Sequence, residues 1–253
     1  MEDKTKTLMK RLLELKNERN AVVLAHNYQI DEVQDCADYV GDSFELSRIA
    51  AETPAQVIVF CGVHFMAESA KILAPNKTVL LPEIMAGCPM ADMAVPQKVR
   101  EMKEKYPQAA VACYINTTAT VKAQCDVCVT SANAEKVINN YPAEEFIFLP
   151  DQNLGKFIAR KTKKKIRFWE GYCITHHRVT AEETRKAREA MPGAFLMVHP
   201  ECRPEVVELA DKALGTGGML RYAQESQETK FLVGTEMGLI YRLKNENPDK
   251  EFY

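Results

Sequence analysis

Short apolar runs and amphipathic stretches alternate along the whole chain. Seven runs rich in β-branched or aromatic residues predict strands at positions 21–25, 56–60, 110–114, 145–149, 165–169, 194–198 and 230–234. The segments between them have helical periodicity, and one of them begins with Thr180 followed by Glu183 three positions later, a capping-box pattern. Strands that alternate with helices in this way predict an α/β fold of parallel sheets covered by helices.

Polar triplets at three of the predicted strand ends recur at a regular distance. They begin 88 and then 85 positions apart and comprise His26-Asn27-Tyr28, Tyr114-Ile115-Asn116 and His199-Pro200-Glu201. A hydroxyl residue follows fifteen positions after the last member of each triplet, at Ser43, Ser131 and Thr216. Cys88 and Cys173 are also separated by 85 positions. The pattern predicts three similar αβα repeats.

The predicted repeats span residues 1–86, 87–172 and 173–253, the last of them incomplete at its C-terminal end. Ligands of open parallel sheets bind beyond the carboxyl ends of the strands. Three repeats related by a pseudo-threefold axis would therefore direct their triplets, hydroxyls and cysteines toward one central active-site cavity. We expect this arrangement.

Composition narrows the functional classes. The chain has 253 residues, of which 46% are hydrophobic and 27% charged, with a formal net charge of −2. This balance gives no electrostatic reason to expect nucleic acid or an anionic membrane as a partner. The N-terminal segment predicts a charged helix with Leu8, Leu12 and Leu15 on one face, and it lacks the pattern of a signal peptide. No apolar run approaches the ~18 residues that span a bilayer. We expect a cytoplasmic protein.

The hydroxyls and triplets suit an anionic, oxygen-rich ligand. A Ser or Thr at a helix N-terminus can hold a carboxylate or phosphate, although such a residue can equally cap its own helix. A Glu at a strand end, such as Glu201, can act as a general base, and His199 beside it can bind an anion or move protons. Each of these side chains also has a purely structural interpretation.

The cysteines leave three interpretations open. Cys88 and Cys173 lie in loop-like sequence after strands, and neither has a second cysteine at zinc-ribbon spacing. Cys173 could be a nucleophile served by His176 or His177. Both cysteines could be plain buried thiols, or both could hold an iron–sulfur cluster, because thiolates from distant loops can ligate one.

Seven motifs in order resemble the quinolinate synthase family, covering the chain from about residue 20 to its end. They are AHNYQ…DYVGDSFELS, GCPMADM, YINTTATVKAQCDVCVTSANA, FLPDQNLG, WEGYCITHH, VHPEC and GTEMGLIYRL. The resemblance implies a threefold-symmetric αβα architecture. It also implies an enzyme of NAD biosynthesis, a transferase that condenses iminoaspartate with dihydroxyacetone phosphate to give quinolinate, with loss of phosphate and water. A 4Fe–4S cluster held by three cysteines, with one iron open to substrate, is implied as well. Functional coupling to an L-aspartate-oxidising enzyme would supply the iminoaspartate.

The same resemblance implies roles for individual residues. Cys88 and Cys173 match the first two cluster ligands. Glu201 matches the acid/base, Tyr28 and Tyr114 match residues that assist proton transfer, and His26 is a further catalytic candidate. Substrate-binding positions match at nine residues: His26, Tyr28, Ser43, Tyr114, Asn116, Ser131, His199, Glu201 and Thr216.

Two positions depart from the family pattern. The third cluster cysteine is expected just beyond Tyr253, so we expect the sequence to be part of a longer chain. Gly215 stands where many members carry serine beside the matched Thr216. Two alternative functions remain: a non-catalytic small-anion binding protein of the same fold, and a cysteine-dependent thiol enzyme that uses Cys173.

Overall fold

The computed structural model describes residues 2–253, which form an α/β fold with three parallel four-stranded sheets. The strand orders are β2-β1-β3-β4, β6-β5-β7-β8 and β10-β9-β11-β12, the same topology three times. The strands of the first sheet are β1 (Ala21–His26), β2 (Tyr39–Gly41), β3 (Val57–Cys61) and β4 (Thr78–Leu80). Those of the second are β5 (Ala110–Tyr114), β6 (Val127–Val129), β7 (Glu145–Leu149) and β8 (Lys165–Phe168). Those of the third are β9 (Phe195–Val198), β10 (Lys212–Ala213), β11 (Lys230–Gly234) and β12 (Glu251–Phe252). The α/β class and the three similar αβα repeats are confirmed.

Helices connect the strands, as parallel pairing requires. In the first sheet's part of the chain they are α1 (Glu2–Glu18), α2 (Asp31–Cys36), α3 (Ser43–Glu52) and α4 (His64–Leu73). Around the second sheet they are α5 (Pro89–Asp92), α6 (Pro96–Lys105), α7 (Ala119–Lys122), α8 (Ala134–Asn140) and α9 (Gln152–Ala159). The remainder are α10 (Ile174–Arg178), α11 (Ala181–Ala190), α12 (Pro204–Val207), α13 (Thr216–Glu225) and α14 (Leu239–Glu246). Among these described helices, none combines the length and apolar character needed to cross a bilayer.

Two details of the helices test the sequence patterns. The predicted capping box is present, because the Thr180 hydroxyl accepts the Glu183 N–H while the Glu183 carboxylate accepts the Thr180 N–H. The predicted N-terminal helix is present as α1, which contains Leu8, Leu12 and Leu15 at the predicted spacing. Leu8 is 62% exposed, whereas Met9, Leu12 and Leu15 are half-buried.

The chain divides into two compact units, Met1–Gly87 (unit 1) and Cys88–Tyr253 (unit 2). Unit 1 contains the first sheet, and unit 2 contains the second and third sheets. Each sheet lies inside one of the three predicted repeats, and the boundary between the second and third repeats stays a prediction.

An aspartate clamp recurs in all three sheets. Asp38, Asp126 and Asp211 each directly precede an edge strand, and each accepts a backbone N–H from the adjacent central strand at 2.7 Å. The donors are Val23, Val111 and Leu196. The second carboxylate oxygen of each aspartate pairs with Lys16, Lys103 or Arg188. The clamp therefore gives an acceptor to a central-strand N–H group at the position just before the short edge strand begins.

A lysine likewise caps the same helix of each repeat. Lys77, Lys164 and Lys250 donate to the carbonyls of the C-cap residues that directly follow α3, α8 and α13, namely Thr53, Tyr141 and Ser226. The last carbonyls of a helix have no partner within the helix and carry its negative dipole end, so a cation is favourable there. The three repeats are therefore similar not only at their strand ends but also in the aspartates and lysines that stabilise their strands and helices.

Candidate active site

The sheet topology brings each triplet next to its hydroxyl. His26 ends β1 and pairs with Gly41 of β2, Tyr114 ends β5 and pairs with Val129 of β6, and Val198 ends β9 and pairs with Ala213 of β10. In every repeat the triplet therefore follows a central strand, and the hydroxyl follows the parallel strand beside it. Both lie at the carboxyl edge of the sheet, where ligands of such sheets bind.

None of the three hydroxyl residues is the N-cap of its helix. The N-cap residues are Asp42 for α3, Asn133 for α8 and Gly215 for α13. In α3 the Asp42 carboxylate accepts the N–H groups of both Phe44 and Glu45 at 2.9 Å. The capping alternative for Ser43, Ser131 and Thr216 therefore loses its main support, since another residue occupies the capping position.

In unit 1 the predicted residues His26 and Tyr28 contact each other. Their rings meet edge to face with centroids 4.6 Å apart, and the Tyr28 N–H donates to Nδ1 of His26 at 3.3 Å. The same bond recurs in the third repeat, where the Glu201 N–H donates to Nδ1 of His199 at 3.3 Å. In the neutral imidazole such a bond leaves the ring proton on Nε2. Both histidines can therefore donate through Nε2.

Glu201 is the centre of the polar group in unit 2. Only 2% of the residue is exposed. Its Oε2 lies 2.9 Å from Nδ1 of His176, and its Oε1 lies 3.7 Å from Nδ1 of His199. The Tyr114 hydroxyl also donates to this carboxylate. Three predicted residues, Tyr114, His199 and Glu201, are thus brought together with His176.

His176 links Glu201 to a further hydroxyl. Its Nε2 lies 2.8 Å from Oγ1 of Thr235, and its ring stacks on that of His199 with centroids 4.4 Å apart. In the neutral ring, Nδ1–H donates to Glu201 and Nε2 accepts the Thr235 hydroxyl proton. The result is a continuous hydrogen-bonded chain from Thr235 to the buried carboxylate.

The carboxyls of Glu201 and Asp151 have opposite pKa shifts. Burial by itself raises the pKa of Glu201, but electrostatic attraction to the imidazoles of His199 and His176, and the bonds from His176 and Tyr114, bring it below its ordinary value. Burial, and then the charge of Glu201, raise the pKa of Asp151 to about 8. Two like charges close together in a buried region cannot both ionise easily. Glu201 is therefore the member of this pair that stays ionised.

The remaining predicted residues of unit 2 surround the same strand ends. A Cβ atom at Gly215 would lie 2.6 Å from Oγ of Ser131 and 3.9 Å from Nε2 of His199. These three residues are therefore neighbours, and Thr216, which is buried, follows Gly215 directly. Oδ1 of Asn116 is buried without a hydrogen-bond partner among the described residues. Such an orphaned acceptor is costly unless a ligand satisfies it.

Cys88 and Cys173 share their surroundings. Each is half-buried and immediately precedes a short helix, α5 or α10. Both pack against one core cluster that includes Met90, Tyr114 and Ile115. Burial and the charge of Glu201 raise the pKa of both thiols, whereas the first N–H groups of α5 and α10 oppose this. The two predicted ligands therefore both lie within the electrostatic reach of Glu201.

Within the described part of the chain, one group of side chains has donor atoms close enough to hold a metal ion. It comprises Cys173, His176 and Glu201, whose ligand atoms all lie within 4.8 Å of one another. Thiolate and imidazole ligands favour transition metals over Mg²⁺ or Ca²⁺. The resemblance assigned only Cys173 of this group to a metal.

Three residues at this site were missed by sequence reasoning: Asp151, Asn153 and Thr235. Asp151 accepts the Cys173 N–H at 3.0 Å, and Asn153 donates to the Glu201 carbonyl at 3.0 Å. Asp151 and Asn153 belong to the quoted motif FLPDQNLG, and Thr235 to GTEMGLIYRL. The motifs were therefore recognisable, but the roles of these residues were not.

The fold and the site define a class: a three-repeat α/β protein with a buried acid–base group beside thiols that could ligate metal. Comparison with known proteins identifies the family within that class. A family profile described as "Quinolinate synthetase A protein" matches residues 10–253. The chain belongs to the quinolinate synthetase A family.

Individual relatives agree with this assignment. The chain is 57% identical over 241 residues to the quinolinate synthase of Caldicellulosiruptor saccharolyticus, an alignment covering 95% of this chain and 80% of the relative. It is 56% identical over 246 residues to that of Geobacter sp. strain M21, covering 97% and 81%. It is 52% identical over 251 residues to that of Methanoregula boonei, covering 99% and 83%.

Proposed function

We propose that this chain is a quinolinate synthase, which condenses iminoaspartate with dihydroxyacetone phosphate and releases phosphate and water. The observation that carries the proposal is the buried Glu201 carboxylate, contacted by Tyr114 and His176 and within electrostatic reach of both Cys88 and Cys173. Membership of the quinolinate synthetase A family supports the same activity. The comparisons do not favour the anion-binding or thiol-enzyme alternatives.

The residues present fit a 4Fe–4S cluster. Clusters are held by cysteine thiolates from separate loops, and Cys88 and Cys173 are half-buried thiols that pack against one core cluster. Each stands at the start of a short helix whose N–H groups favour the thiolate. We propose that these two residues supply two of the three cysteine ligands that the family resemblance implies. His176 and Glu201 already bond to each other and line the region beside Cys173.

When bound, the cluster supplies an electrophilic iron that polarises a substrate oxygen. The protein's own groups do the proton chemistry. Glu201 can accept a proton from a substrate carbon or hydroxyl, and Tyr114 can return one through its hydroxyl. His176 holds the Glu201 carboxylate in place and connects it to Thr235. Because all of these groups except Thr235 are nearly fully buried, their hydrogen bonds are strong and preorganised.

Anionic substrates fit the remaining residues. The unpartnered Oδ1 of Asn116 can accept a hydrogen bond, Ser131 can donate one, and His199 can donate through Nε2. We also propose substrate-binding roles for Thr216 in unit 2 and for His26, Tyr28 and Ser43 in unit 1, with His26 and Tyr28 assisting catalysis. An imine is short-lived in water, so we propose functional coupling to an L-aspartate-oxidising enzyme in the cytoplasm.

The experiment compares Cys173→Ser with Cys36→Ser. Both cysteines are half-buried, but Cys36 lies in unit 1 and is outside the predicted ligand set. Protein that includes the expected third cysteine is purified without oxygen and reconstituted with iron and sulfide. Quinolinate formation is measured by chromatography together with bound iron. We expect Cys36→Ser to match the parent chain. Cys173→Ser should lose both the brown chromophore and quinolinate formation.

Two results would contradict the proposal. A colourless Cys173→Ser protein that still forms quinolinate at the parental rate would exclude the cluster from the reaction. A parent chain inactivated by alkylation of Cys173 without loss of iron would instead favour the thiol-enzyme alternative.

A further inference from the structure

We propose that Asp151 is a positioning residue that fixes the backbone of Cys173 so that its thiol points at the cluster. This inference rests on the proposed function, because it gives Asp151 a task only if Cys173 is a ligand. Asp151 itself is fully buried. It lies in the motif FLPDQNLG, to which neither the family roles nor the acid–base chemistry assigned a function.

The carboxylate of Asp151 joins two chain segments. Its Oδ1 accepts the Leu154 N–H at 2.8 Å and so caps helix α9. Its Oδ2 accepts the Cys173 N–H at 3.0 Å, across 22 residues of sequence. The first bond anchors the side chain to a helix that packs on β7 and β8. The second bond fixes the Cys173 backbone to this anchored side chain.

Backbone contacts reinforce the join. Asp151 and Gly171 form a parallel bridge, and the Gln152 N–H donates to the Gly171 carbonyl at 2.8 Å. A Cβ atom at position 171 would lie 2.4 Å from the Pro150 carbonyl oxygen, so only glycine permits this approach. The segment before Cys173 is therefore held tightly, and the Asp151 carboxylate extends this hold to Cys173 itself.

The neighbouring Asn153 holds the other half of the site in the same way. Its side-chain N–H₂ group donates to the Glu201 carbonyl at 3.0 Å and contacts Nδ1 of His177 at 3.2 Å. One turn at the start of α9 thus orients both a proposed cluster ligand and the proposed acid/base. Outer partners of metal ligands generally act by restricting ligand orientation.

Asp151→Asn is the informative variant. The amide keeps the shape of the side chain, and its oxygen can still cap α9, but an N–H₂ group then faces the Cys173 N–H. Asp151→Ser is a second variant, because serine is a good N-cap with a single oxygen. Asp42→Asn is the matched control. Asp42 caps α3 by accepting the N–H groups of Phe44 and Glu45 and contacts no cysteine amide through these bonds.

Two measurements are made on each protein. Amide hydrogen exchange of Cys173 is followed in the metal-free chain, where both Asp151 variants should lose at least about tenfold of the protection. After anaerobic reconstitution, the visible cluster spectrum is followed during iron removal by a chelator. Both variants should lose iron about 10–100-fold faster than the parent chain. Asp42→Asn should change neither result.

The outcomes separate this inference from the proposed function. Unchanged Cys173 exchange in both variants, or faster exchange with an unchanged rate of iron loss, would overturn the positioning role. A parent protein that includes the expected third cysteine and still takes up no iron–sulfur chromophore would overturn the cluster assignment, and with it the task given to Asp151. Faster exchange together with faster iron loss supports both.

Discussion

Removal of the Asp126 clamp tests whether the repeated aspartates hold the sheets together. The perturbation is Asp126→Ala in unit 2. Oδ2 of Asp126 accepts the Val111 N–H at 2.7 Å and Oδ1 accepts the Lys103 ammonium at 3.0 Å. The Asp126 N–H returns a bond to the Val111 carbonyl at 2.9 Å. Alanine keeps this last bond and loses the other two.

The expected loss in free energy of unfolding follows from how deeply each partner of Asp126 is buried. Val111 is fully buried, so its N–H would be left without an acceptor, at a cost of about 1–3 kcal/mol. The Lys103–Asp126 pair has side chains that are 38% and 33% exposed, so its loss adds about 0.2–1 kcal/mol at most. We expect Asp126→Ala to lower the free energy of unfolding by about 2–3 kcal/mol. Asp126→Asn keeps an acceptor for Val111 and should cost less than about 1 kcal/mol.

Thermal unfolding by circular dichroism measures the difference. About 2–3 kcal/mol corresponds to a fall in Tm of roughly 5–10 °C for a chain of this size. Lys103→Met removes the ion pair and the bond from Lys103 to the Gln124 carbonyl but leaves the Val111 bond in place, and it should shift Tm by no more than roughly 4 °C. Equal shifts for Asp126→Ala and Lys103→Met would refute the reasoning, because the ion pair would then account for the whole effect and the Val111 bond for none.

Two further substitutions test the site. Tyr114→Phe removes a donor to the ionised Glu201, so we expect kcat for quinolinate formation to fall about 10–100-fold. Steady-state kinetics would measure this fall, and an unchanged circular dichroism spectrum would show that the variant is folded. A parental kcat would contradict the prediction. Gly215→Ala places a Cβ atom 2.6 Å from Oγ of Ser131 and should destabilise the chain by about 1–3 kcal/mol in denaturant unfolding. Adding Ser131→Ala should recover most of that loss, and failure to recover it would place the strain elsewhere.

The six central strands and one edge strand, β8, were predictable, whereas the other five edge strands were not. All seven predicted strands exist, and each contains four to six residues. The five that the apolar runs did not reveal, β2, β4, β6, β10 and β12, contain two or three residues each. Such short segments have no periodicity to detect, and pairing with a neighbouring strand determines their conformation.

The site residues divide in a similar way, into those that the local sequence marks and those that only contacts with distant residues reveal. Tyr114, His199 and Glu201 could be predicted because a strand end is visible in the sequence and the repeat marks it. Asp151 and Thr235 could not, because their partners lie 22 and 59 residues away. Asp151 and Thr235 matter because the fold brings distant segments, those of Cys173 and His176, next to them. No local pattern encodes that contact.

The repeat also separates the residues that build the scaffold from those that do chemistry. The clamp position carries aspartate in all three repeats, and the helix-capping position carries lysine in all three. The strand-end positions differ instead: the last residues of the triplets are tyrosine, asparagine and glutamate. A backbone held by three equivalent clamps can accept different side chains at its strand ends, because those side chains contribute little to the pairing of the strands.

Glutamate stands at only one of these three ends, where His176 can meet it. His176 does not belong to the repeated triplets. It lies in the segment after Cys173, and its Nδ1 bonds the Glu201 carboxylate at 2.9 Å. A buried carboxylate without such donors would be neutral rather than ionised. The segment GYCITHH therefore explains why the third repeat can carry an ionised base: it supplies a proposed metal ligand and the imidazole that keeps the adjacent carboxylate charged.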